Sequence, residues 1–587
     1  MVRKYSVDNV KVEDLLAWIN PGRVGLPEMQ RPFVWSSAKV RDLIDSLYNG
    51  YPIGYIVTWL NPAAKLKNDS DSNNKEIIID GQQRLTALKA ALNGDEVIDK
   101  HYNREHIAIS FKPSEEIFAT KNVATEKDPR WIDDISIIFK PDYNSWKFVD
   151  ESADRLGMEK PDLGNVLQKV KDISQCEIGN IILSDELSID AVTNIFNRIN
   201  SKGVTLSSAD LAMSRLSADH SHNGNNIRKQ IDYFVQLLND PTLLTNIEAV
   251  DPEFVKSKYF DQIKWIADDK TRIYVPNYSD ILHVILAFAY KRGKLTDLVS
   301  LISGRDFQMR NFSEQAMDEN YQKLAQGASQ VFNKLNFQRF TMILRDLGMR
   351  NSGKLGLFGH GALNFAYILY LYLQCELHLA KDQTDSLVKR WIVMSTLTGR
   401  YSGSSESAFE RDIKAITQSS DPVATMNTIL NRELTDNFWS ITLPEALQRQ
   451  TTQTSSWRIF QMAQVYAGDR AWLAKDTRAE TVMEEEGNIH HIFPRAYLRA
   501  NHFSKAEINQ IANYVWLTRP RNMDVGDQAP KDYLHDELTS QFFNKQNNAE
   551  NAIPADLQDY DFHDYYHFLK QRRQLMADKI HHYYDQL

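Results

Sequence analysis

The chain has 587 residues, enough for roughly three or four domains, and its 42% hydrophobic and 25% charged residues exclude wholesale disorder. Sixty-eight Lys and Arg against 77 Asp and Glu leave a net charge of −9, which excludes coating of a polyanion through overall charge, so any nucleic-acid contact must come from local patches. The 24 glycines and 18 prolines are few enough to favour long helices over an all-β array, and the two cysteines, Cys176 and Cys375, argue against a disulfide framework or a cysteine-ligated zinc site.

The first residues, MVRKYSVDNVKVEDLL, lack the apolar core of a secretory signal, and the greasiest stretch, Ala362 to Cys375, is too short to span a bilayer. A soluble, cytoplasmic protein without membrane contact is expected. From Val12 to Asn93 helical and extended patterns alternate as in an α/β unit. Ser37 reads as the cap of a helix carrying Val40, Leu43, Ile44 and Leu47 on one face, with Gly50 as its stop. A strand from Ile53 to Leu60 and a polar loop, Asn61 to Lys75, lead into a short buried strand, Glu76 to Ile79. Leu85, Leu88 and Leu92 form the stripe of the following helix, which Gly94 ends.

Farther on, Asp190 to Asn200 reads as an amphipathic helix burying Val192, Ile195, Phe196 and Ile199 and closing at Gly203, and Ser207 with Asp210 forms a capping box for the next. Ala218 to Asn226 is the best internal linker. Lys229 to Thr477 is repeatedly helical, with examples at Ile281 to Tyr290, Leu363 to Leu379 and Leu387 to Leu397, and a distinct module begins near Arg478. The division expected is therefore 1–216, 217–477 and 478–587.

Two constellations carry chemistry. In Asp80-Gly81-Gln82-Gln83-Arg84, a strand delivers a carboxylate to the mouth of a sheet, Gly81 removes a side chain, and a new helix points free N–H groups at the spot. Such an arrangement suits a phosphate, with Arg84 as a bidentate donor and Asp80 holding a metal or water. Asp-Gly ahead of a helix is also a common cap and turn. Arg31 with Phe33 and Trp35, and the run Asn197 to Gly203, are weaker candidates to converge on it. The second constellation is Asn488-Ile489-His490-His491-Ile492-Phe493-Pro494 followed by Asn513 and Asn522. On a β-hairpin, one imidazole and an amide oxygen can share a divalent ion while the neighbouring imidazole faces water, the layout hydrolysis of a phosphodiester needs. The same histidines could equally end a strand packed on the helical region. Arg495, Arg499, Arg519, Arg521 and Lys531 would supply phosphate contacts. His563 and His567 share a helix face but lack the glutamate of a zinc protease, and His581 and His582 lie near the chain end.

The motifs QRPFVW, IIIDGQQRLTAL and FNRINSKGVTLSSADL resemble the ParB/sulfiredoxin-like, nucleotide-hydrolysing module of the GmrSD family of modification-dependent (type IV) restriction enzymes, over about Val7 to Leu216. IHHIFPRAYL with NYVWLTRPRN resembles that family's HNH nuclease of the ββα-metal type, over about Arg478 to Leu587. The pair looks like a single-chain fusion. The resemblance implies a multidomain α+β protein: a ParB/sulfiredoxin-like N-terminal module, a helical middle and a ββα-metal nuclease. His491 matches the general base, His490 and Asn522 the metal ligands, and Asn513 the asparagine that holds the loop. Asp80, Gly81, Gln82, Gln83 and Arg84 match the signature of NTP binding and hydrolysis, Arg31 and Trp35 its upstream motif, and Arg198, Asn200, Ser201 and Lys202 the downstream one. His490 stands where many relatives have Asp or Glu, which leaves open magnesium, manganese, nickel or cobalt.

The activity implied is NTP-dependent cleavage of modified double-stranded phage DNA, by GTP, ATP or another triphosphate. Phe33, Trp35, Tyr51 and Trp59 are candidates to line a base pocket, although most are expected in the core. Two rivals are a nucleotide- or DNA-sensing regulator with a silent HNH fold and a metal-dependent nuclease without NTP turnover. Nucleotide-dependent homodimerisation would be a natural way to couple the modules. The segment Arg400 to Glu406 also looks familiar from longer family members, or is simply a loop and cap.

Overall fold

A computed structural model describes the chain apart from residues 1–3, 20–23, 26–32, 61–75, 100, 188–190, 193–194, 196–197, 199–206, 218, 220, 308, 310, 351–358, 450–451 and 486–488. It is an α+β protein, mostly helical. Two compact units divide it: Met1–Ala267 with Leu295–Gln326, and Asp268–Lys294 with Gly327–Leu587. No helix among the described residues is long and apolar enough to cross a membrane.

The first unit holds a mixed five-stranded sheet. Its strands are β1 (Tyr5–Lys11), β2 (Val24–Gly25), β3 (Ile56–Leu60), β4 (Glu76–Asp80) and β5 (Glu177–Leu183), in the order β1-β5-β3-β4-β2. β3 runs parallel to β5 and antiparallel to β4, and β4 runs parallel to β2. Ile56, Val57, Thr58 and Trp59 are all buried, as expected of a central strand covered on both faces. The strand starts at Ile56, not Ile53: Gly54, with φ +90°, interrupts the extended backbone ahead of it.

Helix α1 (Val12–Ile19), α2 (Ser37–Tyr48) and α3 (Gln82–Leu88) pack on this sheet through one apolar cluster that includes Leu15, Val40, Ile44, Ile56, Ile78, Leu85 and Leu88. The periodicity of α2 places Val40, Leu43, Ile44 and Leu47 inside, as read from the sequence, but its cap is Ser36 and not Ser37. Ser36 is the extended residue whose Oγ accepts the Lys39 N–H at 3.4 Å, so Ser37 already belongs to the first turn. α3 passes into a π-helical turn, Lys89–Asn93, and ends where Gly94 turns left-handed.

In the helix read at Asp190 to Asn200, Val192 is buried; Phe196, Ile199 and Asn200 lie outside the described residues. The capping box is present: the Asp210 N–H donates to Ser207 Oγ (3.2 Å) and the Ser207 N–H to Asp210 Oδ2 (3.0 Å). The segment read as a linker is structured at its end, since a 16-residue helix starts at Gly224 and the Asp219 carboxylate collects the N–H groups of His222 and Gly224.

In the second unit the sequence patterns become helices Tyr278–Tyr290, His360–Leu371, continued by a π turn to Glu376, and Lys381–Leu397. Arg400 makes a bidentate pair with buried Asp412 (2.6 and 2.7 Å) that Tyr401 joins at 2.9 Å, so this segment is an ion-paired corner leading into helix Ser405–Thr417. Near the end of the chain, β6 (Ile489–His491) pairs antiparallel with β7 (Tyr514–Trp516), followed by α4 (Arg519–Val525) and the long helix α5 (Tyr565–Asp585).

Candidate functional site

Asp80 ends β4, displaced by the register shift that sets it opposite Val57. Gly81 follows with φ +102°, a conformation that frees it to turn the chain into α3. The Cα there is crowded as well: a methyl group added to Gly81 would sit 3.1 Å from Ile56 Cγ1. One turn into α3, Arg84 folds back, its Nη2 3.2 Å from Asp80 Oδ2 and its Nη1 donating to the Tyr55 carbonyl at 2.5 Å. Gln83 accepts the Val34 N–H at 3.1 Å and so ties the upstream segment to the same turn. Gln82, Gln83 and Arg84 are all half-buried. The result is an arginine clasped by a carboxylate and a carbonyl at the end of a strand, with solvent on one side.

Trp35 is half-buried, packs against the core and carries the Lys39 ammonium 4.3 Å from its ring centre. Phe33 and Trp59 are core residues, whereas Tyr51 is exposed. Arg198 is exposed on its helix; Arg31, Asn200, Ser201 and Lys202 lie outside the described residues. Tyr55 was absent from the sequence reading, yet it supplies the carbonyl that holds Arg84, and its ring lies over Gly179, where an added Cβ would be 2.5 Å from a ring carbon. The glycine before it, Gly54, was the available signal, because a Cβ at that position would press on the Arg84 guanidinium at 3.2 Å.

At the hairpin, His490 pairs with Val515 and His491 with Tyr514. The turn after β6 is stapled by Asn513, which is fully buried: its Oδ1 accepts the Phe493 N–H (2.8 Å), and its Nδ2 donates to the carbonyls of Phe493 (3.1 Å) and Ile508 (3.2 Å). Its own carbonyl accepts the Ile492 N–H at 2.8 Å, and Tyr533 donates to the Ile492 carbonyl at 2.8 Å. The His491 ring stands edge-on to Tyr514, 5.0 Å between centres, with Nε2 3.1 Å from Asn509 Oδ1. Burial pushes the His491 imidazole down to about 4, assisted by the nearby Arg495 cation and by His490. The ring is therefore neutral around pH 7, the state in which it can accept a proton. Asn522 is half-buried on the first turn of α4.

No group of three or more His, Cys, Asp or Glu that could hold a metal occurs among the described residues. His490 and Asn522 carry an imidazole and an amide oxygen, donor types whose chemistry suits a divalent ion. Of the expected phosphate-binding cations, Arg495, Arg499 and Arg519 are exposed. Arg521 faces Asp524 at 2.7 Å and lies over the Phe542 ring, and Lys531 pairs with Asp561 at 2.9 Å, so much of their charge is already matched within the chain. Asn509 is the hairpin residue that motif spacing did not reveal.

A family model described as GmrSD restriction endonuclease, N-terminal domain, matches residues 12–217. That span contains the Asp80–Arg84 turn and most of the mixed sheet. The chain is also similar to an uncharacterized protein of Methanocaldococcus jannaschii, 21% identical over 590 residues that cover 91% of this chain and 88% of the relative.

Proposed function

We propose that this chain is an NTP-dependent, divalent-metal-dependent endonuclease of the type IV restriction class, acting on modified double-stranded DNA in defence against phage. The observation that carries the reading is the coexistence of an N-terminal restriction-endonuclease match with a neutral, fixed imidazole on a two-stranded hairpin that leads into a helix. In this reading the first unit has a ParB/sulfiredoxin-like nucleotide module and the second ends in an HNH nuclease.

His491 takes a proton from a water molecule, whose oxygen attacks the phosphorus of the scissile phosphodiester; the bond to the 3′-oxygen breaks. Asn513 keeps the turn after β6 in register so that the imidazole faces that water. Arg495, Arg499 and Arg519 neutralise the flanking phosphates, with Arg521 and Lys531 contributing where their carboxylate partners release them. A divalent ion held by His490 and Asn522 would supply the positive charge that stabilises the crowded phosphate and its leaving oxygen. In the first unit, an incoming triphosphate recruits Arg84, and Asp80 orients the attacking water or a metal ion. Gly81, Gln82 and Gln83 border the turn, and Trp35 and Arg198, with Arg31, Asn200, Ser201 and Lys202 by motif resemblance alone, are assigned to the triphosphate. Triphosphate binding favours one arrangement of the protein over another and so licenses cleavage.

The test uses DNA bearing unmodified, hydroxymethylated, glucosylated or phosphorothioated sites, each with and without NTP and with magnesium, manganese, nickel or cobalt. Cleavage confined to a modified substrate and requiring both NTP and metal is expected; equal cleavage of all substrates, or none under any condition, contradicts the proposal. One observation favours a second reading: Arg84 is already matched by Asp80 and the Tyr55 carbonyl, which suits a module that binds nucleotide or DNA phosphate without turnover. Absence of phosphate release with cleavage intact would select it.

A further inference from the structure

We propose that Asn509 is the positioning residue for His491, fixing which ring nitrogen carries the proton; the inference rests on the reading of His491 as the base. The side-chain oxygen of Asn509 lies 3.1 Å from His491 Nε2. An amide oxygen only accepts, so the hydrogen bond requires the ring proton on Nε2 and leaves the lone pair on Nδ1. Water is then activated from the Nδ1 edge of the ring. The edge-on Tyr514 ring, on the strand opposite, restricts the tilt of the imidazole, so that one hydrogen bond is enough to choose its orientation.

The loop that carries Asn509 is built to hold it still. Asn509 closes the helix Lys505–Ile508, its N–H donating to the Lys505 carbonyl at 3.1 Å. That helix is opened by a reciprocal capping box between Ser504 and Glu507. Two tyrosines of α5 grip it: Tyr566 donates to the Glu507 carboxylate, and Tyr565 to the Glu507 carbonyl at 2.9 Å. On the far side Asn513 donates to the Ile508 carbonyl. The residue that staples the turn after His491 thus also anchors the residue before Asn509. These contacts brace Glu507, Ile508 and Asn509 in turn, and the Asn509 side-chain oxygen meets one imidazole nitrogen.

Histidine ¹⁵N shifts read the tautomer directly in the full-length labelled protein, with the His491 signals identified by their loss in His491→Ala. A protonated Nε2 and a bare Nδ1 are expected in the wild type, a mixture of tautomers in Asn509→Ala, and the wild-type signature in Asn509→Asp, whose carboxylate also accepts. In DNA cleavage, Asn509→Ala is expected to lower kcat about ten- to hundredfold with KM for DNA unchanged, and Asn509→Asp to restore most of it. A proton on Nδ1 in the wild type, or a His491 tautomer indifferent to Asn509→Ala, overturns the inference. The spectra decide this even if the protein cleaves no DNA, an outcome that would instead remove the assignment of His491 as base.

Discussion

The two candidate sites are built by opposite means. At the β4–α3 turn the charged groups satisfy one another, Arg84 lying between Asp80 and a backbone carbonyl beside a left-handed glycine. At the hairpin the His491 imidazole is neutral around pH 7, with half-buried Asn509 on its Nε2 and buried Asn513 holding the turn beside it. A self-paired arginine can respond to an incoming anion by exchanging one negative partner for another, which is the behaviour of a switch. A neutral donor set has no charge with which to stabilise a phosphorane and must obtain it from a cation. The first site is suited to sensing and the second to bond breaking.

The sharpest way to break this comparison is Asp80→Ala. We expect phosphate release to fall about 100-fold or more and NTP-dependent DNA cleavage to fall with it, as the proposed coupling of the two sites requires. Cleavage that persists without NTP turnover would uncouple them. Next in size is Asn513→Ala, which deletes three hydrogen bonds at a buried position and strands the Phe493 N–H; a loss of about 3 kcal/mol is expected from chemical unfolding of the second unit, with NTP hydrolysis unaffected. Gly81→Ala forces a Cβ at φ +102° against Ile56 and should cost about 1–2 kcal/mol while lowering NTP turnover, measured by thermal unfolding and phosphate release.

The smallest effect concerns a charge that supports the hairpin. Hydrogen bonds from Ser504 and Tyr566 hold the Glu507 carboxyl down at about 2, below its ordinary 4.5. A depressed carboxylate contributes its stability above the ordinary value and loses it as pH falls toward the depressed one. The melting temperatures of wild type and Glu507→Gln should therefore differ slightly near neutrality and converge as pH drops from about 5 towards about 2. A difference independent of pH would assign the stabilisation to packing.

Much of the first site was legible because it is local. The short strand, the Asp-Gly step and the leucine stripe of α3 lie within about a dozen consecutive residues, and hydrophobic periodicity reads such a unit well. The Ser36 cap was missed by one position because either of two adjacent serines can serve and only the backbone angle decides. At the hairpin the histidines and the buried Asn513 stood out in the sequence, whereas Asn509 and Tyr55 act through groups 18 and 29 positions away and carry no spacing signal. The Lys531–Asp561 pair was hidden for the same reason, since 30 positions separate its partners. Arg521–Asp524, three apart on one helix, is legible from spacing alone, as i, i+3 pairs of opposite charge are.

The proposed cutting of DNA at the hairpin under control of the β4–α3 turn stands or falls with His491→Ala, DNA cleavage and phosphate release being measured on the same preparation. Cleavage is expected to fall about 1,000-fold while NTP hydrolysis and DNA binding stay at wild-type levels. Cleavage at the wild-type rate by the folded variant would contradict it.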